Sequence, residues 1–496
     1  MWQKLKEAVK WFFPTFRMAR LRFDSLEKSF DRLEKRLAVS KERIVNYEMC
    51  LDEPTLLPEP IMPPFGTSLE RMRHYYKFKF LPDGYPAKFE DNEYFVHPSY
   101  GAYILKDYIS QYHAKNSDKE TLKDAIIKVA DASISRMESL NGEALAFFFP
   151  AEAINLSYKH RHYSGLTQGR YLDLLYNAYN ITGIKRYKDA SKKVFNSLCI
   201  PTGKGGVLHK WDGGVSIEEV GDRRPHPFIL NGWLTCLRQI HAYAKLSDSS
   251  EAYGLFNESV DSLAGILHLY DAEEVRNSRY ALTGNQHYRF VFSPLAENIR
   301  IHKIELIISN ESTFTIPVKD NVSTNRSENF IFEEDTVKDM RPVTIKNNRM
   351  TMNLNVSRIS YPDENILCAA IETPCELTLK VMSHSGRYNP LAKNQVDKKW
   401  QEITQIELDK GMNNIRVPLS TNGAVVYPTN FTKKLFNKNY NVYHFTHIIA
   451  LKDLYSVTGN KVLLDYANKW EAYTLEWPNM KLYKGVEHKS HYLGSE

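Results

Sequence analysis

The feature that most constrains this fold is an internal repeat of helical hairpins. Each copy has a helix ending in an aromatic residue, a short turn of Gly, Ser or Asn type, and a second amphipathic helix. The anchor residues are Tyr112, Tyr179, Tyr243 and Tyr455, at spacings of 67, 64 and 212 residues. Stacked hairpins bury a continuous apolar face, so the repeat predicts a toroid of paired helices. The predicted second helices cover residues 119–133, 185–198, 250–269 and 460–477.

The long gap before the last copy has a different pattern. Residues 285–430 alternate apolar and polar positions between turn signals, for example over 300–309 and 349–357. This alternation is typical of half-buried strands, and the segment has the size of an antiparallel β-sandwich. The predicted fold class is therefore α+β. It consists of an (α/α) toroid of helical hairpins, an inserted β-sandwich and an N-terminal helical arm.

The arm, residues 1–49, carries apolar residues at nearly heptad spacing with charges between them. This pattern predicts a coiled coil that joins two copies, a basic anchor at a membrane surface, or a helix packed on its own domain. A proline-rich linker with a small β and loop region is predicted over residues 50–96. The helical domain then covers 97–284 and 431–496, on either side of the predicted sandwich.

Composition limits the partners and the compartment. The 496-residue chain carries a net charge of +6, which favours an acidic partner, but no basic run or motif indicates nucleic acid. Its five cysteines lack C-x-x-C spacing, which indicates a reducing compartment and argues against a zinc site. The charged N-terminus does not resemble a secretory signal. We therefore expect a cytoplasmic protein, with the inner membrane surface as a further option.

Chargeable residues are densest in one loop between two predicted helices. Carboxylates beside guanidiniums are usually a solvated ion network on the surface. The more specific interpretation is a uronate site, because the planar fork of arginine matches a carboxylate bidentately. A nearby glutamate or tyrosine could then act as a base. The residues concerned are Glu218, Glu219, Asp222, Arg223, Arg224 and His226.

The start of the fourth hairpin carries a second candidate cluster. Tyr443, His444 and His447 have i,i+3 and i,i+4 spacings and can share one helical face. Two histidines at this spacing could bind a metal, but the sequence offers no evident third ligand. We predict proton transfer or substrate orientation, with hydrogen-bonded structural histidines as the alternative. Because a third ligand is not evident, no metal is predicted. Because no Gly-rich phosphate-binding loop is present, no nucleotide cofactor is predicted.

Four motifs, in order, resemble the C-terminal catalytic domain of the D-glucuronyl C5-epimerases. They are YSGLTQG at 163–169, PFILNG at 227–232, LYD at 269–271 and YHFTHI at 443–448, and the resemblance covers about half of the chain. It implies a helical toroid joined to β domains, working as a homodimer. It also implies inversion of C5 of D-glucuronic acid to L-iduronic acid within heparosan or a heparan sulfate-like glycosaminoglycan. The family's β domains normally precede the helices, whereas here the large β segment interrupts them.

The resemblance gives Tyr443 the role of a catalytic tyrosine. The second acid–base group stays open between Glu218, Glu219 and Tyr280, because the family's Glu-Tyr-Pro element lacks its tyrosine and proline here. His444 is predicted to assist, and the two acid–base groups are expected on opposite faces of the sugar. Removal of a proton next to a carboxylate also needs cations or strong donors on that carboxylate. The predicted substrate-binding residues are Tyr100, Tyr163, Gln168, Arg170, Arg223, Arg224, His226, Asn231, Arg279 and His447.

Two alternatives remain at this point. A toroid-type polysaccharide lyase would take the same C5 proton from a uronate polymer and then expel the oxygen at C4. A carbohydrate-binding scaffold without catalytic activity would use the sandwich as its binding module and the arm as its oligomerisation element.

Overall fold

The computed structural model describes residues 78–90, 93–115, 117–149, 161–221, 226–296, 298–308, 313–315, 343–344, 349–359, 364–385, 399–419, 432–435 and 438–488. The predicted arm, residues 1–49, and most of the predicted linker lie outside these ranges. The fold is a mixture of helices and strands. None of the helices in the described ranges has the length and hydropathy of a membrane-spanning helix.

Four helical hairpins carry most of the helical residues in the described chain. The first helix of each hairpin packs against the first helix of the next, so α1, α3, α5 and α7 form a continuous arc. Each second helix packs on its own first helix. The helices are α1 (Tyr100–Tyr112), α2 (Lys119–Ile134), α3 (Gly165–Thr182), α4 (Lys185–Leu198), α5 (Leu230–Ser247), α6 (Ser250–Ile266), α7 (Val442–Thr458) and α8 (Lys461–Glu476).

The turns within the hairpins follow from the sequence. Gly183 and Gly459 end α3 and α7 in the left-handed conformation, with φ of 74° and 69°, which glycine adopts without strain. At the other end, the side chains of Ser164 and Asn441 cap α3 and α7 by accepting backbone N–H groups of the first turn. The predicted repeat is confirmed, and each of its second helices starts and ends within three residues of the prediction.

Short strands connect the hairpins and position the loops at the helix starts. Among them, β9 leads directly into Glu218 and Glu219, and β11 precedes Arg279 and Tyr280. The strands are β1 (Phe78–Phe80), β2 (Pro86–Glu90), β3 (Glu93–Phe95), β4 (Glu138–Leu140), β5 (Ala144–Ala146), β6 (Phe148–Phe149), β7 (His162–Tyr163), β8 (Leu208–Trp211), β9 (Gly214–Ile217), β10 (Asp271–Ala272) and β11 (Asn277–Ser278).

Two antiparallel sheets lie between α6 and α7. One has the strand order β16–β12–β18–β19, and the other has the order β14–β13–β17–β20 with β15 paired to β13. Alternate residues of both sheets enter one shared hydrophobic core. The strands are β12 (Thr283–Ser293), β13 (Arg300–Ile308), β14 (Thr313–Thr315), β15 (Val343–Thr344), β16 (Arg349–Ser357), β17 (Glu364–Thr373), β18 (Leu377–Ser385), β19 (Lys399–Leu408) and β20 (Gly411–Pro418).

The chain returns to the helices through a small three-stranded sheet. Its strands are β21 (Thr432–Leu435), β22 (Lys438–Asn441) and the C-terminal β23 (Val486–Glu487), which is parallel to β22. Residues 439–441 belong to β22, and α7, the first helix of the fourth hairpin, starts directly after them at Val442. Closure of the arc into a toroid, the sandwich class of the two sheets and the domain boundaries stay predictions.

Candidate active site

Tyr443 is the central residue of the candidate site. It lies in the first turn of α7 and is half-buried. Its ring contacts the ring of Tyr280, with 5.0 Å between centroids and 59° between planes. Tyr280 is held in place through its backbone carbonyl, which accepts a 2.9 Å hydrogen bond from the N–H of Leu230 at the start of α5. Two phenols from distant parts of the sequence therefore meet beside the start of α5.

The charge environment of Tyr443 identifies its neighbours. Burial first, and then the charges of Glu219 and Tyr103, raise its pKa to about 12, and Arg170 acts in the opposite direction. Charges act over limited distances in a protein, so Glu219, Tyr103 and Arg170 lie within electrostatic range of the Tyr443 phenol. Because the pKa is far above neutral, Tyr443 carries its proton at pH 7. At that pH it is a proton donor, not a base.

Glu219 supplies the carboxylate beside Tyr443. Its side chain lies against the first turn of α5, where Oε2 is 2.8 Å from the position that a Cβ at residue 232 would occupy. Gly232 thus leaves the space in which the carboxylate sits. The N-terminal end of a helix carries a partial positive charge, which stabilises a carboxylate there.

Arg170 supplies the cation. Its guanidinium lies over the ring of Tyr103 of α1, 4.7 Å from the centroid, in a cation–π contact that orients it. Arg170 also acts on His97, whose pKa falls to about 4 through burial first and this positive charge second. The neutral His97 ring stacks on Tyr100 at 5.0 Å. Tyr103 and His97 were not predicted as site residues, although Tyr103 is one helical turn after Tyr100 and could have been noticed from that spacing.

Asn231 and Arg279 flank this group but are largely enclosed by protein. Asn231, at the second position of α5, is 8% exposed, and Arg279 is 4% exposed. The backbone N–H of Arg279 donates to the carbonyl of Tyr270 at 2.7 Å. Their predicted contact with a substrate stays a prediction.

Glu218 has a different role from the one predicted for it. It is fully buried, with Oε1 accepting from the hydroxyl of Ser216 at 2.8 Å and Oε2 accepting from the N–H of Phe228 at 3.1 Å. Its backbone carbonyl accepts from the N–H of Gly165. Glu218 therefore ties the loop to α3 and to the segment before α5, and of the two glutamates it is Glu219 whose side chain is partly exposed.

Tyr163 and Gln168 are also structural residues here. Tyr163 is 2% exposed and its hydroxyl donates to the carbonyl of Ser197 at 2.7 Å. Gln168 is fully buried; its Oε1 accepts from the N–H of Phe147, and its Nε2 donates to Leu145 and Ser197. The amide joins α3 to the β5 hairpin and to α4. Neither side chain reaches the surface to contact a sugar, which corrects the prediction that both bind substrate.

His444 and His447 point into the interior of the protein. Both are fully buried, and the hydroxyl of Ser278 lies 2.9 Å from Nδ1 of each ring. Nε2 of His444 is 2.9 Å from the carbonyl of Trp470, so it carries the proton, and Nδ1 accepts from the N–H of Ser278. Burial lowers the pKa of His444 to about 4. We therefore assign His444 a structural role in place of the predicted proton transfer, and His447 likewise in place of substrate binding.

A row of aromatic rings lies at the β8–β9 hairpin and the segment before α5. The ring of His226 stacks on His209 at 3.6 Å, and His209 lies parallel to Trp211 at 5.7 Å. All three are half-buried, and Phe228 contacts the edges of the row. Together His226, His209 and Trp211 form the aromatic row; His209 and Trp211 lie on the hairpin that precedes Glu219, and His226 follows Glu219 in the chain. The predicted residues Arg223 and Arg224 lie outside the described residues.

Within the described ranges, no group of three or more His, Cys, Asp or Glu side chains could hold a metal ion. The chemistry present there consists of two phenols, a carboxylate, a guanidinium and stacked aromatic rings. A site of this composition can exchange protons with a bound acid and stabilise its carboxylate.

Fold and candidate site together define a helical-hairpin protein with phenols, a carboxylate and a guanidinium grouped near the starts of its first helices. Comparison with known families is more specific. Residues 146–307, about a third of the chain, match the family described as D-glucuronyl C5-epimerase C-terminus, which confirms the family predicted from the motifs. At the level of the family, this match supports an epimerase. The matched segment contains Arg170, Glu219 and Tyr280, whereas Tyr443 lies beyond its end.

Individual relatives add little about function. The uncharacterized protein MJ1128 of Methanocaldococcus jannaschii is 26% identical over 233 residues, which are 45% of this chain and 67% of that protein. Among solved structures, the endo-β-1,4-glucanase CMCax of Acetobacter xylinum has a TM-score of 0.31 at 10% identity, covering 43% of this chain and 61% of that one. The glycoside hydrolase family 76 mannosidase Bt3792 of Bacteroides thetaiotaomicron has a TM-score of 0.28 at 14% identity, covering 43% and 54%.

Proposed function

We propose that this protein is an epimerase that inverts C5 of D-glucuronic acid to L-iduronic acid within a heparosan-like glycosaminoglycan. The observation that carries the proposal is the ring contact of Tyr443 with Tyr280, with the charges of Glu219 and Arg170 both acting on the Tyr443 phenol. The family match over the segment that holds three of these residues supports the same reaction.

We assign the base to Glu219 and the acid to Tyr443. Glu219 takes the proton from C5, and the electron pair of the broken C–H bond moves into the carboxyl group to give an enolate dianion. The O–H of Tyr443 then delivers a proton to C5 from the other face of the ring. Proton exchange with water restores the carboxylate and the phenol. The pKa of Tyr443, about 12, supports the acid role because the phenol holds its proton until the enolate forms.

Arg170 and the aromatic row supply binding in this scheme. The guanidinium of Arg170, fixed over Tyr103, is suited to accept the uronate carboxylate and to stabilise the second negative charge that develops on it. The half-exposed rings of the aromatic row give flat faces on which neighbouring sugars of the polymer can stack. Tyr280 extends this surface beside the reacting centre.

The test is incubation of the protein with heparosan in deuterated water, followed by NMR of the sugar. We expect iduronate signals and deuterium at C5. A rise in ultraviolet absorbance from an unsaturated uronate, without iduronate, would identify a lyase and overturn the proposal. Binding of the polymer without exchange at C5 would identify a carbohydrate-binding protein.

We further propose that the protein works as a homodimer through residues 1–49, whose nearly heptad spacing supports a coiled coil. Contact of the same basic segment with a membrane surface, on the cytoplasmic side, is the accompanying proposal. Sedimentation of the full chain and of a form starting at residue 50, with and without anionic vesicles, tests both.

A further inference from the structure

The arc of first helices has an inner face that continues beyond the candidate site. Each first helix packs against its own second helix and against the neighbouring first helices, which leaves one stripe along it open to solvent. The stripes of adjacent helices lie side by side, and together we call them the inner face. It carries Tyr103 and Lys106 of α1, Arg170 and Asp173 of α3, Arg238 of α5 and Asp453 of α7.

Lys106 lies one helical turn after Tyr103, on the same side of α1. The guanidinium of Arg170 lies over the ring of Tyr103, 4.7 Å from its centroid. Long side chains on a helix lean towards its start, which directs Lys106 back towards Tyr103 and Arg170. The inner face therefore brings a second cation towards the one that we assign to the uronate.

The surroundings of Lys106 show that it lies in a hollow. The side chain is exposed to solvent, yet burial is the first cause of a lowered pKa, followed by the charges of Arg170 and Arg238; Asp173 acts in the opposite direction. Water access and surrounding protein occur together on a concave surface. The ammonium of Lys106 is thus accessible from the hollow of the arc and within electrostatic range of Arg170.

The carboxylates of the inner face are engaged elsewhere. Asp453 forms an ion pair with Arg238 at 2.6 Å, between α7 and α5. Asp173 accepts from the side-chain amide of Gln239 on α5, with 2.5 Å between Oδ1 and the amide nitrogen. Burial raises the pKa of Asp173 to about 7, with Lys106 first among the groups that act in the opposite direction. At neutral pH this carboxyl therefore carries only part of its charge.

Two cations of the inner face are left without a counter-ion. Among the residues that the structure describes, neither the ammonium of Lys106 nor the guanidinium of Arg170 forms an ion pair with an acidic side chain. Like charges that protein surrounds repel each other, and an anion bound beside them removes that repulsion. The pair is therefore suited to a ligand that carries carboxylates.

We propose that Lys106 is a second carboxylate-binding residue of this protein, which takes a uronate of the acidic polymer on the inner face beside Arg170. The carboxylate belongs to the reacting uronate, held by both cations, or to the next uronate along the chain. The ammonium is a compact point charge and accepts a carboxylate in either orientation. The ligand class rests on the proposed function, but the binding itself does not require the reaction.

The experiment compares Lys106→Met, Lys106→Arg and Lys128→Met in the full chain. Methionine keeps an unbranched stem and removes the charge, whereas arginine keeps the charge. Lys128 is also exposed but lies on the second helix α2, away from the inner face, so it is the matched control. Calorimetric titration uses two heparosan oligosaccharides, one with a single uronate and one with two. A Tyr443→Phe background allows binding to be measured without turnover.

We expect Lys106→Met to bind at least one of the two oligosaccharides about 10-fold more weakly, which is the loss of one hydrogen bond to a charged group. Lys106→Arg should recover most of the affinity, and Lys128→Met should bind like the parent. The melting temperature of Lys106→Met should be unchanged or higher, because a charge that Arg170 and Arg238 repel is gone. A residue with a merely structural role would show the opposite change.

The two oligosaccharides identify which carboxylate is bound. A loss with both supports the proposal at the reacting uronate, and a loss only with the longer one supports it at the next uronate. Equal affinities of Lys106→Met and Lys128→Met for both would overturn it. So would weaker binding that comes with a lower melting temperature and that Lys106→Arg does not recover.

Failure of the proposed function gives a different result. If binding depends on Lys106 but the protein with Tyr443 intact forms no iduronate, only the proposed function fails. Absence of any heparosan binding by the parent would overturn both proposals.

Discussion

The lack of a side chain at Gly232 leaves space for the carboxylate of Glu219. A Cβ at this position would lie 2.8 Å from Oε2 of Glu219 and force the carboxylate to move. Alanine is a better helix residue than glycine by about 0.5–1 kcal/mol. We therefore predict that Gly232→Ala leaves the melting temperature unchanged or higher while kcat/KM falls by about 100-fold, the cost of an ångström of misplacement.

Gly254 provides the matched control for this variant. It lies in α6, and a Cβ added there would meet no atom within 4 Å, so Gly254→Ala should stabilise the protein and keep full activity. Calorimetry and initial rates on both variants check the prediction. Full activity of Gly232→Ala would show that the position of Glu219 does not matter to the reaction.

Arg170 is predicted to act through both charge and shape. The guanidinium of Arg170, which lies over Tyr103, lowers the pKa of Tyr443. We also propose that it binds the carboxylate of the uronate, so its removal should affect both. We expect Arg170→Ala to lower kcat/KM by about 10- to 100-fold, as for other hydrogen bonds to charged groups. Arg170→Lys, which keeps the charge but loses the planar fork, should lie between. Steady-state rates that do not change in Arg170→Ala would exclude it from the site.

At the scale of elements, the buried histidines of α7 make stability depend on pH. The pKa of His444 is about 4 in the folded protein, through burial, against about 6.5 when unfolded, and that of His447 is lowered in the same direction. As the pH falls below 6.5, His444 and His447 bind protons in the unfolded chain but stay neutral in the folded chain. Stability from this source is therefore complete above pH 6.5 and is lost as the pH falls towards 4. For His444 the loss is about 3 kcal/mol.

Urea unfolding between pH 7 and pH 5 measures this effect. The free energy of unfolding should fall over that range, and the fall should be smaller in His444→Gln, which has no imidazole to protonate. The nearby carboxylate of Asp271 acts in the opposite direction and is present in both proteins. An identical pH slope in the two proteins would contradict the assignment.

The elements were predicted far better than the directions of their side chains. Helix ends were readable because Gly183 and Gly459 stop the chain in a conformation that other residues avoid. The sequence did not show which of Glu218 and Glu219 has its side chain in the core. Both follow a strand in which successive side chains point to opposite faces, so one is directed inward and the next outward. The i,i+3 spacing of His444 and His447 correctly predicted a shared face but not that it faces the core.

At the scale of the whole molecule, Asp271 joins parts of the chain that are nearly 200 residues apart. Its carboxylate accepts from Lys469 at 2.6 Å, from Nε1 of Trp470 at 3.0 Å and from the hydroxyl of Tyr473 at 2.9 Å. The last hairpin is thereby attached to the strand that precedes the β segment. Contacts of this kind, like the pair of Tyr280 and Tyr443, depend on the path of the β segment and could not be derived from local sequence patterns.

We predict that Asp271→Ala lowers the free energy of unfolding by about 2–4 kcal/mol, because it leaves a buried indole N–H and a phenol without their acceptor. Asp271→Asn keeps an acceptor oxygen and should lose less. Denaturant unfolding of both variants at one pH gives the comparison. Equal stability of Asp271→Ala and the wild type would mean that the last hairpin is held by its apolar contacts alone.

The central claim is that Glu219 removes the C5 proton and Tyr443 returns one from the other face. Tyr443→Phe in deuterated water tests it most directly, with deuterium at C5 and iduronate counted in the same NMR spectrum. We predict that iduronate formation falls by about 100- to 10,000-fold, while exchange at C5 persists without inversion. Iduronate formation at the wild-type rate by the folded Tyr443→Phe variant would contradict the claim.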